Sequence, residues 1–184
     1  MHQHRARHLA VAAAGVAWAL HMACGPTATS TGQGDASVRV TPMGGTETAF
    51  NHAQGRSEVS ITPPAGGIFT ASFVHNDPSL ALSIRVDSHA VEEGDLVRFP
   101  LGGTVSNNDL LVQLDYQGRT YRSDTGSASG DMTFEVLQVT DETVDFRGSF
   151  NVVLATTDGT TATVIGFLEA HEGSGSFTAR DAGF

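Results

Sequence analysis

From residue 36 onward, apolar side chains in this chain recur at every second position, and no helix-length window shows the 3.6-residue period of an amphipathic helix. That alternation is the strongest constraint on the fold. In "TVDFRGSFNVVLATT", Val144, Phe146, Gly148, Phe150, Val152 and Leu154 share one face, while Asp145, Arg147, Ser149 and Asn151 share the other. "LLVQLDYQGRTYRS" does the same with Leu110, Val112, Leu114 and Tyr116, then offers a turn at Gln117-Gly118. Period 2 is the repeat of a strand with one buried face, so the pattern predicts antiparallel sheet.

Further strands are expected at 37–41, 57–62, 69–75, 80–87, 96–101, 131–140 and 175–179. Breakers separate them: "TPPAGG" at 62–67, "NDPS" at 76–79, "EEGD" at 92–95 and "SNND" at 106–109. Asp158-Gly159 is the sharpest hairpin signal and reads as a two-residue turn with both φ angles positive, leading to a strand over 162–170. In "MTFEVLQVT" the apolar face slips from Met132, Phe134 and Val136 to Leu137 and Val139, which predicts a bulge or a strand buried on both sides. About ten short strands without helices imply an all-β fold, an antiparallel sandwich or flattened barrel.

The first 36 residues follow other rules. Arg5 and Arg7 precede an apolar run of 12 residues, Leu9 to Leu20, the length of a secretory h-region and too short to span a bilayer. The only cysteine, Cys24, follows at "HMAC". The stretch resembles a bacterial lipoprotein signal: Ala23 matches, whereas His21 and Met22 stand where an aliphatic and a small residue are usual. The expected organisation is a signal peptide over 1–23, a lipidated Cys24 opening a flexible linker over 24–36, and a β-domain over 37–184. The alternative is plain secretion with cleavage after Ala17-Trp18-Ala19, leaving Cys24 a free thiol. One cysteine permits no intrachain disulfide.

Charge excludes one class of partner. Twenty acidic residues face ten arginines and no lysine, a net of −10, and such a surface repels phosphate; nucleic acid is therefore not expected.

Motifs for chemistry are scarce. His52, His75, His89 and His171 have no metal-ligand spacing, there is no G-x-S-x-G elbow, and no cofactor fingerprint occurs. His75 suits a turn cap. Acidic loops at 92–95, 107–109 and 156–161 offer oxygen ligands for calcium or serve as solvated turns. With Trp18 in the leader, Tyr121 is the best candidate for an exposed sugar-stacking ring, set against cross-strand packing.

Residues 129–150, "SGDMTFEVLQVTDETVDFRGSF", with "GSGSF" at 173–177, resemble a pattern in small bacterial lipoproteins of unknown function. The shared features are a Gly-initiated strand, an acidic turn and a strand ending in aromatic-x-Gly-Ser/Thr-Phe. The resemblance implies a β-sandwich on the outer membrane or elsewhere in the cell envelope, held by palmitate-type acyl chains on Cys24, with no catalytic residue to carry over. The leading expectation is a non-enzymatic structural or interaction domain whose partners are the membrane and an envelope protein or glycan. A carbohydrate- or calcium-binding module comes second, and a hydrolase with a site assembled in space third.

Overall fold

A computed structural model describes residues 33–54, 57–62 and 64–172. Within them the chain is an all-β fold of eleven strands and one 3₁₀ turn, His52–Gln54, with no α-helix. The strands are β1 Gln33–Pro42, β2 Thr48–Asn51, β3 Ser57–Ile61, β4 Ile68–Asn76, β5 Ser79–Asp87, β6 Leu96–Phe99, β7 Leu110–Tyr116, β8 Arg119–Arg122, β9 Ser129–Val139, β10 Val144–Ala155 and β11 Thr161–Glu172. All pairings are antiparallel, in the order β2-β1-β11-β10-β8-β7-β5-β4-β3, with β9 also beside β10 and β6 beyond β9. β10 is the fork, because it pairs with β9 over most of its length and meets β8 only at Ala155↔Arg122.

The sheet curls into a flattened, nearly closed barrel because one face of every long strand is apolar. Inner positions of β4, β5 and β7, and of β10 as far as Leu154, alternate with outer ones, and Phe73, Leu82, Ile84, Val112, Leu114, Phe146 and Val152 are fully buried. Each such side chain contributes roughly 1.5–3 kcal/mol of burial, offsetting the ordering of the backbone. The sheet's far ends meet through Gly34 of β1, where an added Cβ would stand 2.6 Å from Val59 Cγ1 of β3. At the opposite end of β1, the Tyr116 hydroxyl donates to Thr48 Oγ1 at 3.1 Å, and Phe50 meets Tyr116 edge-on at 5.7 Å.

The slip in β9 is a bulge. Arg147 pairs with Val136 and Gly148 with Phe134, so Glu135 is the extra residue, and Leu137 and Val139 return to the inner side. Gly148 has a steric reason: a Cβ there would lie 2.9 Å from Phe146 Cζ and 2.4 Å from Met132 Cε, so the Phe146 ring fills that space.

Three expectations need correction. Of the 158–159 pair only Gly159 has positive φ, at 83°; Gly159 N–H bonds Thr156 O at 3.1 Å and Thr156 N–H bonds Thr160 O at 2.9 Å, a longer loop than the two-residue turn. The reason is local, since the Asp158 carboxylate accepts from the Thr156 hydroxyl and the Thr160 N–H, a geometry that keeps Asp158 at ordinary φ. β2 was not foreseen, having four residues of which only Phe50 is buried. β1 starts at Gln33, so four residues assigned to the linker are strand. The strand expected at 175–179 lies outside the described residues.

Candidate functional site

Strand alternation sends Asp145 and Arg147 of β10, and Phe167, Glu169 and His171 of β11, to the outer face. The register sets Arg147 opposite Glu169 and Asp145 opposite His171. The bulge adds Glu135 on the other flank of Arg147. The result is a continuous polar chain across three strands. Arg147 Nε donates to Glu135 Oε2 at 2.6 Å and Nη1 donates to Glu169 Oε2 at 2.6 Å, while the guanidinium carbon sits 4.7 Å from the Phe167 ring centre. His171 Nε2 lies 3.0 Å from Glu169 Oε1, and Nδ1 lies 2.8 Å from Asp145 Oδ1.

Burial distinguishes this chain from surface decoration. The Glu169 side chain is only 11% exposed and that of His171 15%, although both sit on an outer face. For Arg147, burial works against the charge; the hydrogen bonds and attraction from Glu135 and Glu169 outweigh it and raise its pKa above the usual arginine value. His171 faces a carboxylate at each nitrogen. A neutral imidazole has one N–H, so both contacts are hydrogen bonds only in the imidazolium form.

Two other histidines, His75 and His89, hold turns. His75 is buried, its Nδ1 is 3.0 Å from Pro78 O and its ring meets Phe50 edge-on at 5.3 Å, so it ties the β4–β5 turn. His89 is exposed on a turn with Nδ1 3.0 Å from Asp87 Oδ1; the backbone N–H of His89 on that carboxylate is the main reason Asp87 is held below the ordinary carboxylate range. Among the described residues, neither ring is hydrogen-bonded to a serine hydroxyl. His52 lies in the 3₁₀ turn.

Each acidic loop turns its carboxylate onto its own backbone. Asp95 Oδ2 accepts Glu92 N–H at 2.9 Å, and Asp109 Oδ2 accepts both the N–H and hydroxyl of Ser106 at 2.7 Å. Asp158 does likewise, and the Thr156 hydroxyl is the chief cause of its strongly lowered pKa. Among the described residues, no three His, Cys, Asp or Glu side chains converge as a metal-holding group. Tyr121, the expected sugar-stacking ring, is 1% exposed and belongs to the core, because its strand position faces inward opposite Leu114. Cys24, Trp18 and the leader lie outside the described residues. No described helix is long and apolar enough to cross a membrane.

Sequence reasoning missed the outer-face chain. Its members are far apart in sequence, and only register brings Asp145 to His171 and Arg147 to Glu169. The slip in "MTFEVLQVT" was the available signal, since it marked where Glu135 leaves the regular alternation.

Fold and site together define a class: an all-β, nearly closed antiparallel sheet bearing a braced ionic chain on its outer face. Beyond that class, no family model, no curated protein and no solved structure matches the chain.

Proposed function

We propose that this is a lipid-anchored cell-envelope protein whose β-domain is a non-enzymatic interaction module. The observation carrying the reading is Cys24, the only cysteine, placed where a 12-residue apolar run gives way to a Gly/Ser/Thr-rich stretch. Thioether-linked diacylglycerol on that sulfur, with a further acyl chain, holds such a domain at a membrane surface, each buried CH₂ adding roughly 0.8 kcal/mol. The resemblance of residues 129–150 to envelope lipoproteins points the same way. Support for a non-enzymatic role comes from the chemistry-bearing side chains. His75, His89, Asp95, Asp109 and Asp158 hold their own turns, and both nitrogens of His171 face carboxylates.

The test is fractionation and intact mass measurement of the full chain and its Cys24→Ser variant, expressed in a bacterium. The parent is expected in the detergent-soluble membrane fraction with a diacylglyceryl mass on Cys24, and the variant in the soluble fraction. An unmodified Cys24, or a variant that stays membrane-bound, would overturn the anchor.

A further inference from the structure

The Asp158-Gly159 dipeptide of the β10–β11 loop is the only Asp-Gly in the chain, and no Asn-Gly occurs. Asp-Gly is the pair in which aspartate isomerises most readily, because glycine puts no side chain in the way of its own backbone nitrogen. The Gly159 nitrogen attacks Cγ of Asp158, and the new N–C bond closes a five-membered succinimide. The carboxyl OH leaves with the amide proton as water. Water then opens the ring at the main-chain carbonyl of Asp158, and the backbone runs on through Cγ as isoaspartate. We infer that this loop is a latent isoaspartate site, kept unreactive by hydrogen bonds that hold the Asp158 carboxylate and the Gly159 N–H on other partners. The inference goes beyond the interaction-module reading and stands whether or not Cys24 carries lipid.

Shielding from solvent plays no part, since the Asp158 side chain is 64% exposed. What the loop removes is freedom. Oδ1 accepts from the Thr156 hydroxyl and from the Thr160 N–H at 3.1 Å, and Oδ2 accepts from Arg119 Nη1 at 3.4 Å. The Thr156 hydroxyl has one proton to give and also lies 3.1 Å from Thr160 O; the charged carboxylate is the stronger acceptor and takes it. Bringing Cγ onto the Gly159 nitrogen breaks these bonds. The nitrogen is engaged as well, its N–H donating to Thr156 O at 3.1 Å. Thr156 therefore holds the electrophile through its hydroxyl and the nucleophile through its carbonyl.

The same bonds act on the chemistry. Ring closure needs the protonated acid, because hydroxide is a poor leaving group. Each donor favours the carboxylate, the Thr156 hydroxyl most, and the group is held well below the ordinary carboxylate range. Isomerisation adds one backbone carbon between the two longest described strands, which pair without a break from Val144↔Glu172 to Ala155↔Thr161. It also takes the clamped carboxylate away from Thr156, Thr160 and Arg119. The clamp thus guards the register of this hairpin.

The experiment compares the purified full chain with a synthetic peptide of residues 152–164, which carries the same dipeptide without the fold. Both are incubated at about pH 5, above the ordinary aspartate pKa. Isoaspartate at position 158 is read by peptide mapping with electron-transfer fragmentation and by enzymatic methylation of the isoaspartyl carboxyl. The folded chain is expected to isomerise at least about tenfold more slowly than the peptide, the effect of one unit of carboxyl pKa on the acid form. Thr156→Val keeps the side-chain shape and removes the hydroxyl; it should raise the folded rate by about threefold or more, the loss of one hydrogen bond to the carboxylate. Thr156→Ser keeps the hydroxyl and should match the parent. Circular dichroism and thermal melts establish that each variant is folded. Arg119→Ala frees Oδ2 alone and supplies an independent reading should Thr156→Val fail to fold; its rate should exceed the parent's. A folded chain that isomerises as fast as the peptide, a folded Thr156→Val or Arg119→Ala no faster than the parent, or a Thr156→Ser as fast as Thr156→Val would overturn the inference.

Discussion

Replacing Arg147 with Met tests whether the outer-face chain stabilises the fold. Met keeps the aliphatic stem and removes the guanidinium. Glu169, with its side chain 11% exposed, then loses a 2.6 Å charge-assisted bond and retains His171 at 3.0 Å. A hydrogen bond to a charged group contributes about 1.5–3 kcal/mol when shielded from water. The Glu135 bond adds less, because its side chains are 35% and 38% exposed and solvent screens them, leaving about 0.5–1 kcal/mol. The guanidinium over Phe167 adds about 0.5–1 kcal/mol more. These terms share one side chain and do not sum, so the expected loss is about 2–3 kcal/mol. Urea unfolding of the full chain, followed by circular dichroism, should show the midpoint falling by roughly 1 M at unchanged slope. Most of the loss is the penalty of a shielded carboxylate without its cation. Adding Glu169→Gln to Arg147→Met should therefore recover at least about 1 kcal/mol, a coupling read from the double-mutant cycle. A single-variant loss below about 0.5 kcal/mol, or no recovery in the double variant, would refute the reasoning.

Two further outcomes follow from particular residues. Gly130 has φ of 102°, and a Cβ there would lie 2.2 Å from Asn151 O, so Gly130→Ala must push β9 off β10; a loss of about 2–4 kcal/mol in the same unfolding assay is expected, and a loss under about 1 kcal/mol would count against that close approach. Asp158 has a folded pKa below its unfolded value, so its contribution is complete above the unfolded pKa near 4 and fades as pH falls through that range. Removing it as Asp158→Ala should flatten the acid limb of stability between about pH 5 and pH 2, measured by urea midpoints across that range, whereas an acid limb as steep as the parent's would contradict the assignment.

The β architecture was legible because burial acts on every second residue and leaves its mark without reference to any partner strand. Val144 to Leu154 could be sorted into faces from sequence, and the structure sorts them the same way. The bulge was legible as a disturbance of that sorting. Short elements and turns were less so: β2 buries only Phe50, and the Asp158-Gly159 dipeptide carries the same letters whether Asp158 sits at positive φ or accepts bonds from Thr156 and Thr160. Tyr121 misled for a related reason. Its neighbours Arg119 and Arg122 are polar, but Tyr121 itself occupies the inward position of β8.

The outer-face chain could not have been read as a motif, and the cause is physical. A β-sheet places side chains together by register, a property of two strands at once, and one residue of slip exchanges the inner and outer faces. Glu135 meets Arg147 only because the bulge inserts one residue into β9. Moving that bulge by one position would turn Glu135 toward the core and leave Arg147 with Glu169 alone. The bulge is therefore the single local feature on which both the continuity of the core under Phe146 and the bracing of the outer face depend.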